Sequence, residues 1–246
     1  MEVHTHTHTP RKQWNHYFWE FFMLFTAVFC GMLAEYKLEH IIEHQREKQY
    51  IRSLIKDVEM DLASLKTSFI NRKNQIDYFD SIRVLLKEGY ENHLNDLHFY
   101  ARHIARPVSF QYHDRTIKQL KNSGNLRLIR NMESADSITI YDNERIKALL
   151  VQQEGEAELR RFIQNNTSGE IFDSNAWNDM TDSTGVITRP VNNPILLTRD
   201  KFLLNKFSFL IVRLKGHLVQ TNRLIVMTER SAENLIKILK KEYQLD

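Results

Sequence analysis

Cysteine, proline and glycine are all scarce in this chain: its 246 residues hold one cysteine, four prolines and seven glycines, against averages of roughly 5% proline and 7% glycine. The single thiol, Cys30, excludes an intrachain disulfide and a thiolate zinc site. So few turn formers exclude the many tight turns of a sandwich, a barrel or a doubly wound sheet. An excess of charge of one sign is missing as well. The net charge is only +3, with basic and acidic residues interleaved, which argues against a nucleic-acid partner. What is present is 42% hydrophobic and 26% charged residues, enough for a core and too apolar for wholesale disorder. The expected fold class is all-α.

The most apolar window, Tyr17–Tyr36, reads YFWEFFMLFTAVFCGMLAEY. Its uncharged part, Phe21–Ala34, is 14 residues long, short for a membrane span taken strictly. The full window, at 1.5 Å per residue, covers about 30 Å, the thickness of a bilayer's hydrocarbon core. Trp14, Tyr17 and Trp19 on one side and Tyr36 on the other match interfacial aromatic belts. Glu20 and Glu35 fall about 22 Å apart, near the two interfaces. A cleaved signal peptide fits less well, because Met32-Leu33-Ala34 supplies one small residue, and Phe29 before Cys30 disfavours a lipoprotein. The reading is an uncleaved single-pass anchor, with a peripheral amphipathic segment as the alternative. Arg11 and Lys12 before the span nearly balance Lys37, Arg46 and Lys48 after it. A short tail held inside and a translocated C-terminal part is the preferred orientation.

Between Gly31 and Gly89 there is neither glycine nor proline, so the anchor can run on as one helix. From Ile51 the apolar positions step by four and three through Ile55, Val58, Leu62, Leu65 and Phe69; Arg72 interrupts, and Ile76 and Phe79 resume. The seam serves either a coiled coil or packing against the chain's own later helices, and the intrachain bundle is preferred for 51–88. The expected organisation is a polar His-rich tail (1–16), a transmembrane helix (17–36), a long stalk-like helix (37–88) and an antiparallel helical bundle (89–246). Within the bundle, Asp114 is expected to cap a helix to Asn122 that Ser123-Gly124 stops. A further helix is expected from about Glu133 to Gln164. After it comes a polar loop over 165–198, and then helical sequence from Asp200 to Tyr243.

Counting back by sevens from the seam gives Ala34, Ala27 and Glu20, with Gly31 close by. Small residues on one face let membrane helices approach closely. The expected interface of a parallel homo-oligomer is therefore Glu20, Ala27, Gly31, Ala34 and the flanking Glu35, running in phase with the stalk.

Two stretches carry a resemblance: HYFWEFFMLFTAVFCGMLAEYKLEHIIEHQREKQYIRSLIKDVEMDL (16–62) and IKQLKNSGNLRLIRN (117–131), which leads into Tyr141. Together they resemble an uncharacterised, domain-of-unknown-function family of bacterial single-pass membrane proteins with a helical domain. The resemblance implies attachment to the bacterial inner membrane and a shared fold; it brings no activity and no catalytic residue.

Several constellations invite chemistry. His40-Ile41-Ile42-Glu43-His44 matches the H-x-x-E-H pattern of inverted zinc peptidases, and on a helix His40 and His44 share a face. Hydrolysis needs a third ligand and a cavity. The charged neighbours Glu39, Arg46, Glu47 and Lys48 read better as a solvated face. His4, His6 and His8 alternate with threonine and would bind a metal weakly at most. The segment Asp173–Asp179 lacks the glycine and glutamate of a calcium loop. Phe172, Trp177 and Met180, large apolar residues in a polar loop, are either tucked onto the bundle or offered to a partner. No catalytic residue and no cofactor is assigned. Expected partners are the bilayer, a second copy of the chain and a further protein. A scaffold, assembly or relay function is preferred over a ligand-sensing domain, and both over a hydrolase.

Overall fold

The computed structural model describes residues 14–192 and 194–245. Its described residues are helical and contain no strand, only two isolated bridges. The fold is all-α. The chain divides into two units, Met1–Gln49 and Tyr50–Asp246.

In the first unit, helix α1 (Trp14–Glu88) begins, and it is long and apolar enough to cross a membrane. Every residue from Trp14 to Ile42 is exposed. An exposed apolar face of this extent marks a surface for contact with a membrane or with another protein.

The second unit is built on the rest of α1. Its other helices are α2 (Leu94–Arg102), α3 (Arg115–Asn122), α4 (Met132–Thr139), α5 (Lys147–Ile163), the short α6 (Gly169–Ile171) and α7 (Ser174–Asp179), and α8 (Lys201–Tyr243). Gly89, at φ +127°, ends α1, and Gly124, at φ +68°, follows α3; both conformations are disfavoured for side chains bearing a Cβ. α8 is one unbroken helix of 43 residues. Gly155 does not break α5. A Cβ there would meet the His217 ring of α8 at 3.7 Å, an ordinary van der Waals contact.

Two apolar clusters form the core. The first joins Ile51, Ile55, Val58 and Leu65 of α1 to Ile117, Leu120, Ile138, Tyr141 and Leu149, and to Ile225, Leu235 and Leu239 of α8. The second joins Phe79 and Ile82 of α1 to Leu97, Ile104, Leu159 and Ile163, and to Phe207, Ile211, Leu214 and Leu218 of α8. Along α1 and α4–α5 the chain meets the first cluster before the second; along α8 the order is reversed. α8 therefore runs antiparallel to both. The heptad seam from Ile51 onward is thus spent inside the domain, and residues 50–88 belong to the bundle rather than to a free stalk.

Between the two clusters lies a buried polar layer. Arg72, which breaks the seam, is fully buried, and its Nε donates to Glu156 Oε2 at 3.2 Å. Arg160, equally buried, donates to Glu156 Oε1 at 3.0–3.1 Å and to Gln75 Oε1 at 2.6 Å. Burial lowers both guanidinium pKa values, and Glu156 opposes that shift. Further donors reach backbone carbonyls of the 3-10 turn His103–Ala105 and of the irregular chain after it, while Arg72 also donates to Ser68 Oγ and, at 3.2 Å, to Gln153 Oε1. Arg72 Nη2 donates to Val108 O, Arg160 Nη1 to Ile104 O at 3.0 Å, and Gln75 Nε2 to Arg106 O at 2.7 Å.

The same stripe of α1 continues toward its N-terminal side with acceptors. Ser64 Oγ receives Gln111 N–H at 3.0 Å, and Asp61 Oδ1 receives His113 N–H at 2.8 Å. Asp57 Oδ2 receives Thr116 N–H at 2.9 Å. The cap of α3 is therefore supplied across the fold by Asp57, and not by Asp114, whose side chain makes no cap bond and pairs with Lys118. Asp61 also accepts from the Tyr141 hydroxyl at 2.7 Å. Burial pushes its carboxyl above the usual range, against the pull of these hydrogen bonds.

The helix expected over 133–164 contains a π-helical stretch, Ile140–Ile146, and a second, Gln164–Ser168, follows it. The buried positions show why: Tyr141 and Ile146 are five apart, and the wider turn returns both to the core. The expected loop over 165–198 is a correction. Its first part continues the helix through Ile171, α7 follows, and Phe172 pairs with Leu196 as an antiparallel bridge. Ile171, Phe172, Met180 and Leu196 are buried. Ile171, Phe172 and Leu196 belong to the second cluster and hold an otherwise polar segment on it.

Removing one partner of a buried charge set leaves the others uncompensated, at a cost of about 3–5 kcal/mol. Glu156→Gln should therefore cost that much in urea unfolding, whereas exposed Glu158→Gln should stay within about 0.5 kcal/mol of wild type. Equal, small losses would show that the layer is solvated.

Candidate functional site

Among the sequence-predicted residues, His4, His6 and His8 lie outside the described residues. His40 and His44 stand on the exposed part of α1, where His44 Nδ1 is 3.2 Å from Glu47 Oε2 and the His40 ring lies edge-on to Tyr36. Among the described residues, no group of three or more His, Cys, Asp or Glu side chains is placed to hold a metal. The third ligand that hydrolysis requires is therefore not within reach there. Glu20, Ala27, Gly31, Ala34 and Glu35 are all exposed on α1. A Cβ at Gly31 would meet nothing within 4 Å, so that face is open to close approach.

The three apolar residues of the 165–198 segment have separate fates. Met180 is fully buried and Phe172 nearly so, so neither is offered to a partner. Phe172 packs between Phe207, at 5.6 Å, and the His98 ring, at 5.1 Å. Trp177 is half-buried, 5.2 Å from Phe172, with the Arg102 guanidinium over its ring at 5.2 Å from the centroid. Phe172 and Trp177 instead line a cavity of about 380 Å³ with Gln164, Ser168, Gly169 and Leu197. Gln164 and Ser168 come from the π-helical turn, whose extra residue per turn leaves room beneath the aromatics. The volume lies in the range of small-molecule pockets.

Three side chains that sequence reasoning did not single out lie on or against α2 and the turn after it. His98 Nδ1 lies 2.8 Å from Leu94 O and must carry the proton, because a carbonyl only accepts. Its Nε2 is then a bare acceptor, buried and without a partner. Burial lowers the His98 pKa, which keeps the ring neutral. His103 packs against Tyr78 at 4.6 Å and Phe99 at 4.9 Å. Burial, then the charges of Arg106 and Arg102, push it down to about 4. Arg189 lies 4.3 Å over the Phe99 ring and donates to Asp96 at 2.7 Å, pinning the end of the 165–198 segment to α2. The sequence signal for the two histidines is the density of His and aromatic residues over 98–103.

Compared with protein-family models, with curated proteins and with solved structures, the chain has no match in any of the three.

The histidines set a pH dependence whose sign follows from their shift. An unfolded histidine titrates near 6.5, and His103 near 4 when folded, so between these values only the unfolded chain gains the proton. Its contribution is complete above about pH 6.5 and is lost as pH falls toward 4, at up to ~1.4 kcal/mol per pH unit. His103→Phe keeps the ring contacts and should flatten this part of a melting-temperature profile. An unchanged profile would show that His103 is solvated.

Proposed function

We propose that the protein is a membrane-anchored helical scaffold, acting in assembly or signal relay rather than in catalysis. The observation that carries this reading is the contrast within α1. Phe21, Met23 and Leu24 are 66–70% exposed, whereas Ile51 and Leu65 are fully buried. An apolar helix face of that extent is stable in lipid, where burying it removes roughly 25 cal/mol per Å² of unfavourable hydration. In this reading the anchor is single-pass in a bacterial inner membrane with the domain of Tyr50–Asp246 on the periplasmic side. Ala27, Gly31 and Ala34 form the contact of a parallel homo-oligomer, and Glu20 pairs across it instead of facing lipid.

Two measurements on full-length protein test it. Carbonate washing should leave the protein in the membrane, and release would overturn the anchor. Oxidative cross-linking in native membranes should trap a dimer through Cys30, which Cys30→Ser abolishes. Cross-linking instead through a cysteine moved to Phe25, on the opposite face, would contradict the shared-seam arrangement.

The cavity under Phe172 and Trp177 favours a second reading, a ligand-sensing domain on the same anchor. Gly169→Leu distinguishes the two. A Cβ at Gly169 meets nothing within 4 Å, so a larger side chain can occupy the cavity without displacing the core. Unchanged assembly in that variant supports the scaffold, and loss of assembly supports the sensor.

A further inference from the structure

The end of the domain where α1 stops and α8 starts carries an unusual convergence of positive charge. Arg83 and Lys87, from the last turns of α1, line one cavity of about 610 Å³ with Arg199 and Lys201, from the entry to α8. Glu91 is the one acidic residue in its wall, so four cations against one anion leave a net +3. Of this set, local carboxylates among the described residues pair only with Arg83. Asp80 is shared between Arg83, at 3.0 Å, and Lys215, at 2.7 Å. Asp200 is engaged as the cap of α8, accepting Phe202 N–H at 2.9 Å. Among the described residues, Lys87, Arg199 and Lys201 form no ion pair.

Like charges around one concavity repel, and low-dielectric walls strengthen the field they project. Here those walls are apolar: Leu86 and Tyr90 pack against the second core cluster, and Leu204 is part of it. The volume is that of a small-molecule site. We propose that this cavity binds a phosphate ester with an apolar or aromatic body. The anionic group is held by Lys87, Arg199 and Lys201, with Arg83 at the edge, and the body lies on Leu86 and Tyr90. Guanidinium and ammonium groups together suit a doubly charged phosphate better than a carboxylate, since the fork of Arg199 binds two oxygens while the lysines act as point charges. The site is distinct from the cavity under Trp177, and its assignment does not depend on the membrane reading.

The test uses full-length protein in phosphatidylcholine nanodiscs, titrated calorimetrically with 1-naphthyl phosphate. Binding should be at least tenfold tighter than for inorganic phosphate or 1-naphthol and should weaken as salt rises. Lys87→Ala combined with Arg199→Ala should weaken it tenfold or more. Both side chains are exposed, so the fold is retained, and a melting curve verifies that. Glu91→Gln removes the one opposing charge and should tighten binding several-fold, an outcome that misfolding does not produce. Nanodiscs containing phosphatidylglycerol separate the sources of the ester. A fall in probe affinity assigns the site to a lipid headgroup, and no change assigns it to a soluble ester. Absence of binding at millimolar probe, or equal binding by wild type and the double variant, would overturn the proposal.

Discussion

The buried charge layer of Arg72, Glu156 and Arg160 is what the domain's geometry depends on. Two guanidinium groups share one carboxylate with no exposure to water, and their remaining N–H groups need acceptors. Those acceptors include the carbonyls of residues 103–108, a single 3-10 turn followed by irregular chain, beside the Ser68, Gln75 and Gln153 side chains. Each side therefore meets the other's unsatisfied hydrogen-bonding groups. A buried ion set of this kind adds little net stability relative to apolar replacements, so its effect is to fix one arrangement. It sets the position of the chain segment that links α2 to α3, and with it the spacing of the two apolar clusters.

The same logic extends along α1. Asp57, Asp61, Ser64, Ser68, Arg72 and Gln75 step by three and four, like the apolar seam beside them, and all but Ser68, which accepts from Arg72, bond to backbone groups of 106–116. One helix thus carries two stripes: one buries methyl groups, the other substitutes for the ladder that an extended strand would need. Neither the cap of α3 nor the path of the linker depends on local sequence. The cavities follow from this frame. The segment after α5 is pinned by Phe172 and Arg189 against α2 and α8, which leaves space under Trp177. The termini of α1 and α8 meet so that their basic residues surround a second space.

Much of this was legible. The steps of three and four from Ile51, the stops at Gly89 and Gly124 and the continuous α8 all arise from local periodicity and backbone preference, which sequence displays directly. The polar stripe was not. Asp57 and Asp61 on a charged helix resemble a solvated face, and Arg72 meets its carboxylate 84 residues later. The π-helical turns insert one residue without any mark in composition, so the interval between Tyr141 and Ile146 looked ordinary. In the 165–198 segment, Phe172 and Trp177 stood out by their size, but only the pairing of Phe172 with Leu196 buries the first while the second stays half-buried beside the cavity that both line. The basic cavity was invisible, because Lys87 and Arg199 lie more than a hundred residues apart.

Native-state hydrogen exchange addresses the polar stripe most directly. The amides of Gln111, His113 and Thr116 bond to side chains of α1, and that of Phe110 to Gln153. If those side chains hold the segment as an integral part of the core, these amides exchange only through global unfolding, at rates matching the centre of α8. Exchange at the rate of an exposed loop would contradict the account, and α1 would then be an apolar scaffold with an ordinary linker lying over it.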